Sequence, residues 1–103
     1  MLRHVVLFAF RPSSSPEEIA GVCAAFARLP QAIPGIAAFE WGVDVSPEGL
    51  QRGFTHCFLL TFATAADRDA YLVHPTHRTF VESVAPYLAQ SMVVDYWAQE
   101  DTQ

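Results

Sequence analysis

The chain has 103 residues, 51% of them hydrophobic and 17% charged, with a net charge of −5 at pH 7. That is enough for one domain (residues 1–103) with its own core, and it excludes a disordered chain. No run of Lys or Arg supplies the basic footprint that a nucleic-acid or anionic-membrane partner needs. No apolar stretch approaches the ~20 residues that span a bilayer, and the opening segment reads as too short for a signal peptide, so a cytoplasmic location is expected.

Arg3 to Phe10, rich in Val, Leu and Phe, predicts a strand that Arg11-Pro12-Ser13-Ser14-Ser15 breaks. Ser15-Pro16-Glu17-Glu18 is a helix start, with Ser15 at the N-cap, Pro16 in the first turn and Glu18 placed for a capping box. Ile19, Val22, Cys23 and Phe26 follow at helical spacing, and Pro30 with Pro34-Gly35 is expected to end the helix. Ile36 to Val45 predicts a second strand, and Ser46 to Gly49 opens a polar loop closed by Gly53. Phe54 to Ala63 predicts a third strand. Thr64-Ala65-Ala66-Asp67 reads as a cap for a helix reaching about His74, and Pro75 starts a second helical piece that carries His77, Phe80, Val81 and Val84 on one face. Pro86 marks its limit. Gln90 to Trp97 predicts the fourth strand, with a polar, acidic tail after it. Cys23 and Cys57 read as buried, reduced thiols.

The order β-α-β-β-α-β, with the second helix split, is the α+β, ferredoxin-like arrangement with a four-stranded antiparallel sheet. Helices cover one face of such a sheet, so the other should be polar in a monomer. Here both faces of each strand carry apolar residues: Val5 and Leu7 oppose Val6, Phe8 and Phe10, and Val93 and Trp97 oppose Met92, Val94 and Tyr96. An uncovered apolar face predicts a homodimer formed by two sheets packed together.

The first and third strands are read as parallel central neighbours, which would place His4 and His56 at the same end of the sheet. Tyr71 and His74 share a helix face one turn apart, and His77 points inward. A pocket lined by Tyr71, His74, His77, His56 and His4 is therefore expected. Each also has a plainer role: His74 as a helix cap, His77 as a core histidine, His4 as a strand-end donor, Tyr71 as core with its hydroxyl at the rim. His74 and His77, with His56, have spacing for a divalent metal, but Pro75 interrupts them and no acidic residue completes the set, so no metal is expected. Asp44, Glu48 and Asp95 read as loop and strand-end solvation.

The opening His4-Val5-Val6-Leu7-Phe8, the stretch Gly53-Phe54-Thr55-His56, Tyr71-Leu72-Val73-His74-Pro75-Thr76-His77 and Val93-Val94-Asp95-Tyr96 together resemble the stress-responsive dimeric α/β-barrel (Dabb) family. The resemblance covers nearly the whole chain and implies a ferredoxin-like protomer in a sheet-to-sheet dimer. It includes a plant polyketide cyclase that works by aldol condensation without a cofactor. Its catalytic tyrosine and histidine match Tyr71 and His77, and its further pocket histidines match His4 and His56. On that resemblance His77 is the general base, Tyr71 holds the developing oxyanion, and His4, His56 and His74 bind substrate, a small carbonyl or aromatic compound. Two other readings are a non-enzymatic stress or assembly protein with structural histidines, and a relative of the antibiotic-biosynthesis-type monooxygenases. The Tyr-x-x-His-Pro-x-His pattern does not favour the latter.

Overall fold

The computed structural model describes residues 1–99. It runs β1 (Leu2–Phe10), α1 (Pro16–Ala32), β2 (Ile36–Val43), β3 (His56–Phe62), α2 (Ala65–Val73), α3 (Pro75–Val84), a 3₁₀ turn (Ala85–Tyr87) and β4 (Leu88–Trp97). The strands form one antiparallel sheet in the order β2-β3-β1-β4, which is the ferredoxin-like arrangement. The acidic tail expected after Trp97 lies, from residue 100 on, outside the described residues.

The central pair corrects one expectation. β1 and β3 are antiparallel, because β2 runs in the direction of β1 and the turn into β3 reverses the chain. His4 therefore sits opposite Leu60, and His56 opposite Phe8. The two histidines share a face of the sheet but lie at opposite ends, about 13 Å apart at ~3.3 Å per residue.

Local signals place the helices. The Ser15 hydroxyl accepts the Glu18 N–H at 3.1 Å, and the Glu18 carboxylate accepts the Ser15 N–H at 2.8 Å, completing the capping box. Pro30 does not end α1 as expected; the helix runs on to Ala32. A proline near the end of a helix deletes a single bond, and the last turn is held by the buried side chains of Leu29 and Ile33 and by the Ile33 N–H on the Leu29 carbonyl. Pro34-Gly35 then turns the chain, with Gly35 at φ 96°, where a Cβ would also crowd Asp67. β2 stops at Val43, short of Val45, because the Asp44 carboxylate draws the Ser46 N–H and hydroxyl into a turn. β3 starts at His56 and β4 at Leu88.

Alternation decides what is buried. Leu2, His4, Val6 and Phe8 of β1 and Phe58, Leu60 and Phe62 of β3 face the helices and are buried. Phe26 of α1 stacks on Phe58 with ring centroids 4.3 Å apart, and Phe8 and Phe80 close around them. Cys23 is buried in this core, whereas Cys57 is exposed on the opposite face, contrary to the expectation that both are buried; it alternates with Phe58 and so points away from the helices. On that open face Met92, Val94 and Tyr96 are 44%, 52% and 47% exposed.

Phe58 is fully buried at the centre of the aromatic cluster. Phe58→Ala is expected to cost about 3–5 kcal/mol, read as a lower urea midpoint in chemical denaturation.

Candidate active site

The helices cover the central strands β1 and β3 and leave the edge strand β4 exposed along nearly its whole length. Between α3 and the helix-side face of β4 a cleft of about 500 Å³ remains. Its walls are apolar, with Val6, Phe8, Phe80, Val84, Leu88 and Val93 prominent. At one end stand His4, Tyr71, His77 and Asp95.

Register brings the first pair together. His4 and Asp95 are directly paired residues of β1 and β4, so their side chains emerge side by side on the helix face. The Asp95 Oδ1 accepts the His4 Nδ1 proton at 2.7 Å, and Asp95 Oδ2 accepts from the Arg68 guanidinium, also at 2.7 Å. Asp95 thus corrects its reading as strand-end solvation: it is the carboxylate that orients His4. Sequence spacing of 91 residues hid this pair, and only the β1–β4 register reveals it.

The second pair comes from the break between α2 and α3. Pro75 lacks an N–H, so the helical ladder is interrupted there. The Thr76 N–H turns to the His74 Nδ1 at 3.1 Å instead of continuing the ladder to Leu72. The freed Leu72 carbonyl accepts the His77 Nδ1 proton at 3.1 Å. That bond fixes the tautomer of the neutral ring and leaves Nε2 as the basic nitrogen. The His77 ring lies 4.4 Å from Tyr71, and Tyr71 packs edge-on to His4 at 5.8 Å.

The electrostatics follow from burial. Desolvation lowers the His77 pKa below 6.5, with His4 and His74 nearby adding to the effect against the opposing Leu72 bond. Tyr71 is 1% exposed, and burial pushes its phenol well above the usual value, so it stays protonated. Among the described residues no buried side-chain nitrogen or oxygen lacks a partner. The Tyr71 hydroxyl, His77 Nε2 and His4 Nε2 make no protein hydrogen bond there, and all three residues line the cleft. Three polar atoms with nothing to bond meet one apolar hollow.

Two expected members lie elsewhere. His74 serves as the N-cap of α3 and does not line the cleft. His56 bonds the Thr55 hydroxyl at 2.8 Å and packs against Phe10 and Trp41 at the far end of the sheet. The five-residue pocket is therefore a site of three, His4, Tyr71 and His77, with Asp95 and Arg68 behind it. The set His56, His74 and His77 is not gathered, and among the described residues no three His, Cys, Asp or Glu side chains are grouped to hold a metal ion.

Comparison with known proteins agrees with the fold. The family model described as Stress responsive A/B Barrel Domain matches residues 2–98. The stress-response A/B barrel domain-containing protein HS1 of Arabidopsis thaliana is 37% identical, over 92% of this chain and 87% of its own length. Olivetolic acid cyclase of Cannabis sativa is 22% identical, over 92% and 94%. Among solved structures, hydroxynitrile lyase from Passiflora edulis superposes with a TM-score of 0.90 at 26% identity, covering 99% of this chain and 96% of that one. A dimeric ferredoxin-like protein of unknown function from Thermobifida fusca gives 0.79 at 26%, covering 92% and 88%.

Burial also ties the site to stability. His77 and His56 both have folded pKa values below 6.5, each chiefly from desolvation. The unfolded chain binds more protons just below that pH, so their contribution is complete above pH 6.5 and is lost as pH falls through it. The urea midpoint should drop on acidification below pH 6.5 and drop less in His77→Gln.

Proposed function

The chain belongs to the stress-responsive A/B barrel domain family, and from that premise we propose that it is a homodimeric, cofactor-independent acid–base catalyst acting on a small, uncharged carbonyl compound. The observation that carries this reading is the meeting of His4 Nε2, Tyr71 hydroxyl and His77 Nε2 at one end of an otherwise apolar cleft. His77, neutral and held by the Leu72 carbonyl, removes a proton from the carbon next to the carbonyl. The protonated Tyr71 donates to the oxygen as negative charge develops on it. His77 then returns the proton to the carbon, while His4, its Nδ1–H held by Asp95, presents Nε2 as a hydrogen-bond acceptor to the substrate.

The charge inventory selects the substrate. Asp95 is the carboxylate of the cleft, and the nearby cation, Arg68, is already engaged by Asp95 and Asp69. An anionic substrate would find no unpaired cation, whereas an aryl or alkyl ketone suits both the apolar walls and the polar end. Two relatives bear the names of enzymes, a cyclase and a lyase, which supports chemistry in this cleft over a purely structural role. We place the protein in the cytoplasm, which suits two free cysteines.

The direct assay is deuterium exchange, followed by NMR, at the carbon next to the carbonyl of an uncharged aryl alkyl ketone in D₂O. The protein should accelerate exchange, and His77→Ala and Tyr71→Phe should each lower the rate by about 10²–10⁴-fold. The acid limb of the rate profile should fall below pH 6.5. Exchange no faster than buffer, or equal in His77→Ala and the parent, would sink the reading.

The dimer is proposed to form through the open sheet face, on which Met92, Val94 and Tyr96 are exposed; several solved structures of the same fold are described as dimeric. Val94→Asp would set carboxylates into that contact. Sedimentation should give two chains for the parent and one for the variant; a parent that sediments as one chain removes the dimer.

A further inference from the structure

We propose that Arg68 is a positioning residue of the cleft: by gripping the far oxygen of Asp95 it holds the near oxygen on His4 and so keeps His4 Nε2 aimed at the substrate. This rests on the reading of the cleft given above, but its test does not require turnover.

Asp95 stands on an edge strand, and its side chain is 24% exposed. A carboxylate there, bonded by one oxygen only, would rotate about its terminal torsion between His4 and water. Arg68 removes that freedom. It sits on α2 one turn before Tyr71, and its Nη1 reaches Asp95 Oδ2 at 2.7 Å while its Nε reaches Asp69 Oδ1 at 2.8 Å. Each oxygen of Asp95 then has one partner at the same short distance, Arg68 on one side and His4 on the other. The guanidinium is planar and permanently charged, so two carboxylates acting on it from different nitrogens fix its plane. Asp69 steadies Arg68, Arg68 steadies Asp95, and Asp95 steadies the buried His4 ring.

The line also joins α2 to the edge strand β4. α2 carries Arg68 and Tyr71, and β4 carries Asp95. Arg68 therefore sets the position of His4, a hydrogen-bond acceptor, against that of Tyr71, a donor, the two groups that would face a substrate together. Arg68 does not itself line the cleft and touches no substrate.

The test is the downfield proton resonance of His4 Nδ1–H, assigned in protein carrying ¹⁵N-labelled histidine. In the parent protein the short bond to Asp95 shields this proton from solvent exchange, and a resolved resonance is expected. In Arg68→Met, of similar length but without charge or donors, the resonance should be lost to exchange while the amide spectrum of the core is retained. Arg68→Gln serves as the second variant if the first does not fold. A folded variant in which the resonance keeps its parental position and exchange rate overturns the proposal, and so does its absence from the parent. If the resonance behaves as expected and no carbonyl compound is turned over, the positioning role stands and the catalytic reading falls.

Discussion

The pairing of β1 with both of its neighbours is the constraint on which the rest depends. A strand has two faces and a period of two, so one register decides every neighbour at once. With Val6 opposite Phe58 and Val93, the even residues of β1 and β3 turn toward the helices and their odd residues turn away. The same register that buries Phe8 and Phe58 sets His4 beside Asp95. A shift of one residue would expose the aromatic core and break the His4–Asp95 hydrogen bond together, so core and site are held by one set of hydrogen bonds.

The second constraint is the interruption at Pro75. An uninterrupted helix would satisfy the Leu72 carbonyl within its own ladder and leave the His77 ring without a fixed tautomer. The break releases that carbonyl, provides His74 as a cap for the following piece, and directs the His77 Nδ1 proton to Leu72. The broken helix is thus a device that orients an imidazole and turns its unprotonated nitrogen to the cleft. Burial completes the effect by disfavouring the charged ring.

Edge position explains why a cleft exists at all. One layer of helices does not cover four strands evenly, and β4 is left exposed along nearly its whole length. Its helix-side residues become one wall of a hollow, and its other residues extend the open apolar face. The cleft and the proposed dimer surface therefore lie on opposite sides of one sheet. Partner packing on the open face would stiffen β1 and β4, the strands that carry His4 and Asp95, without closing the cleft.

Much of this was legible in the sequence because it depends on near neighbours along the chain. The capping box of Ser15 and Glu18, the cap at Thr64, the break at Pro75 and the apolar alternation of the strands are all signals read within a few residues. From them follow the element order and the ferredoxin-like fold; spacing alone pairs Tyr71 with His74, and it is the family resemblance that pairs Tyr71 with His77. The set of partners around them was decided by tertiary structure alone. Residues 4 and 95 become neighbours through strand register, and an antiparallel rather than parallel centre moves His56 away from the site. Arg68 gains its role from a carboxylate 27 positions distant, and Pro30 is tolerated because Leu29 and Ile33 are buried around it. Short-range propensities act through local dihedral angles and hydrogen bonds, which a sequence displays. Which distant groups share a hydrogen bond is settled only when burial of the core selects one register for the sheet.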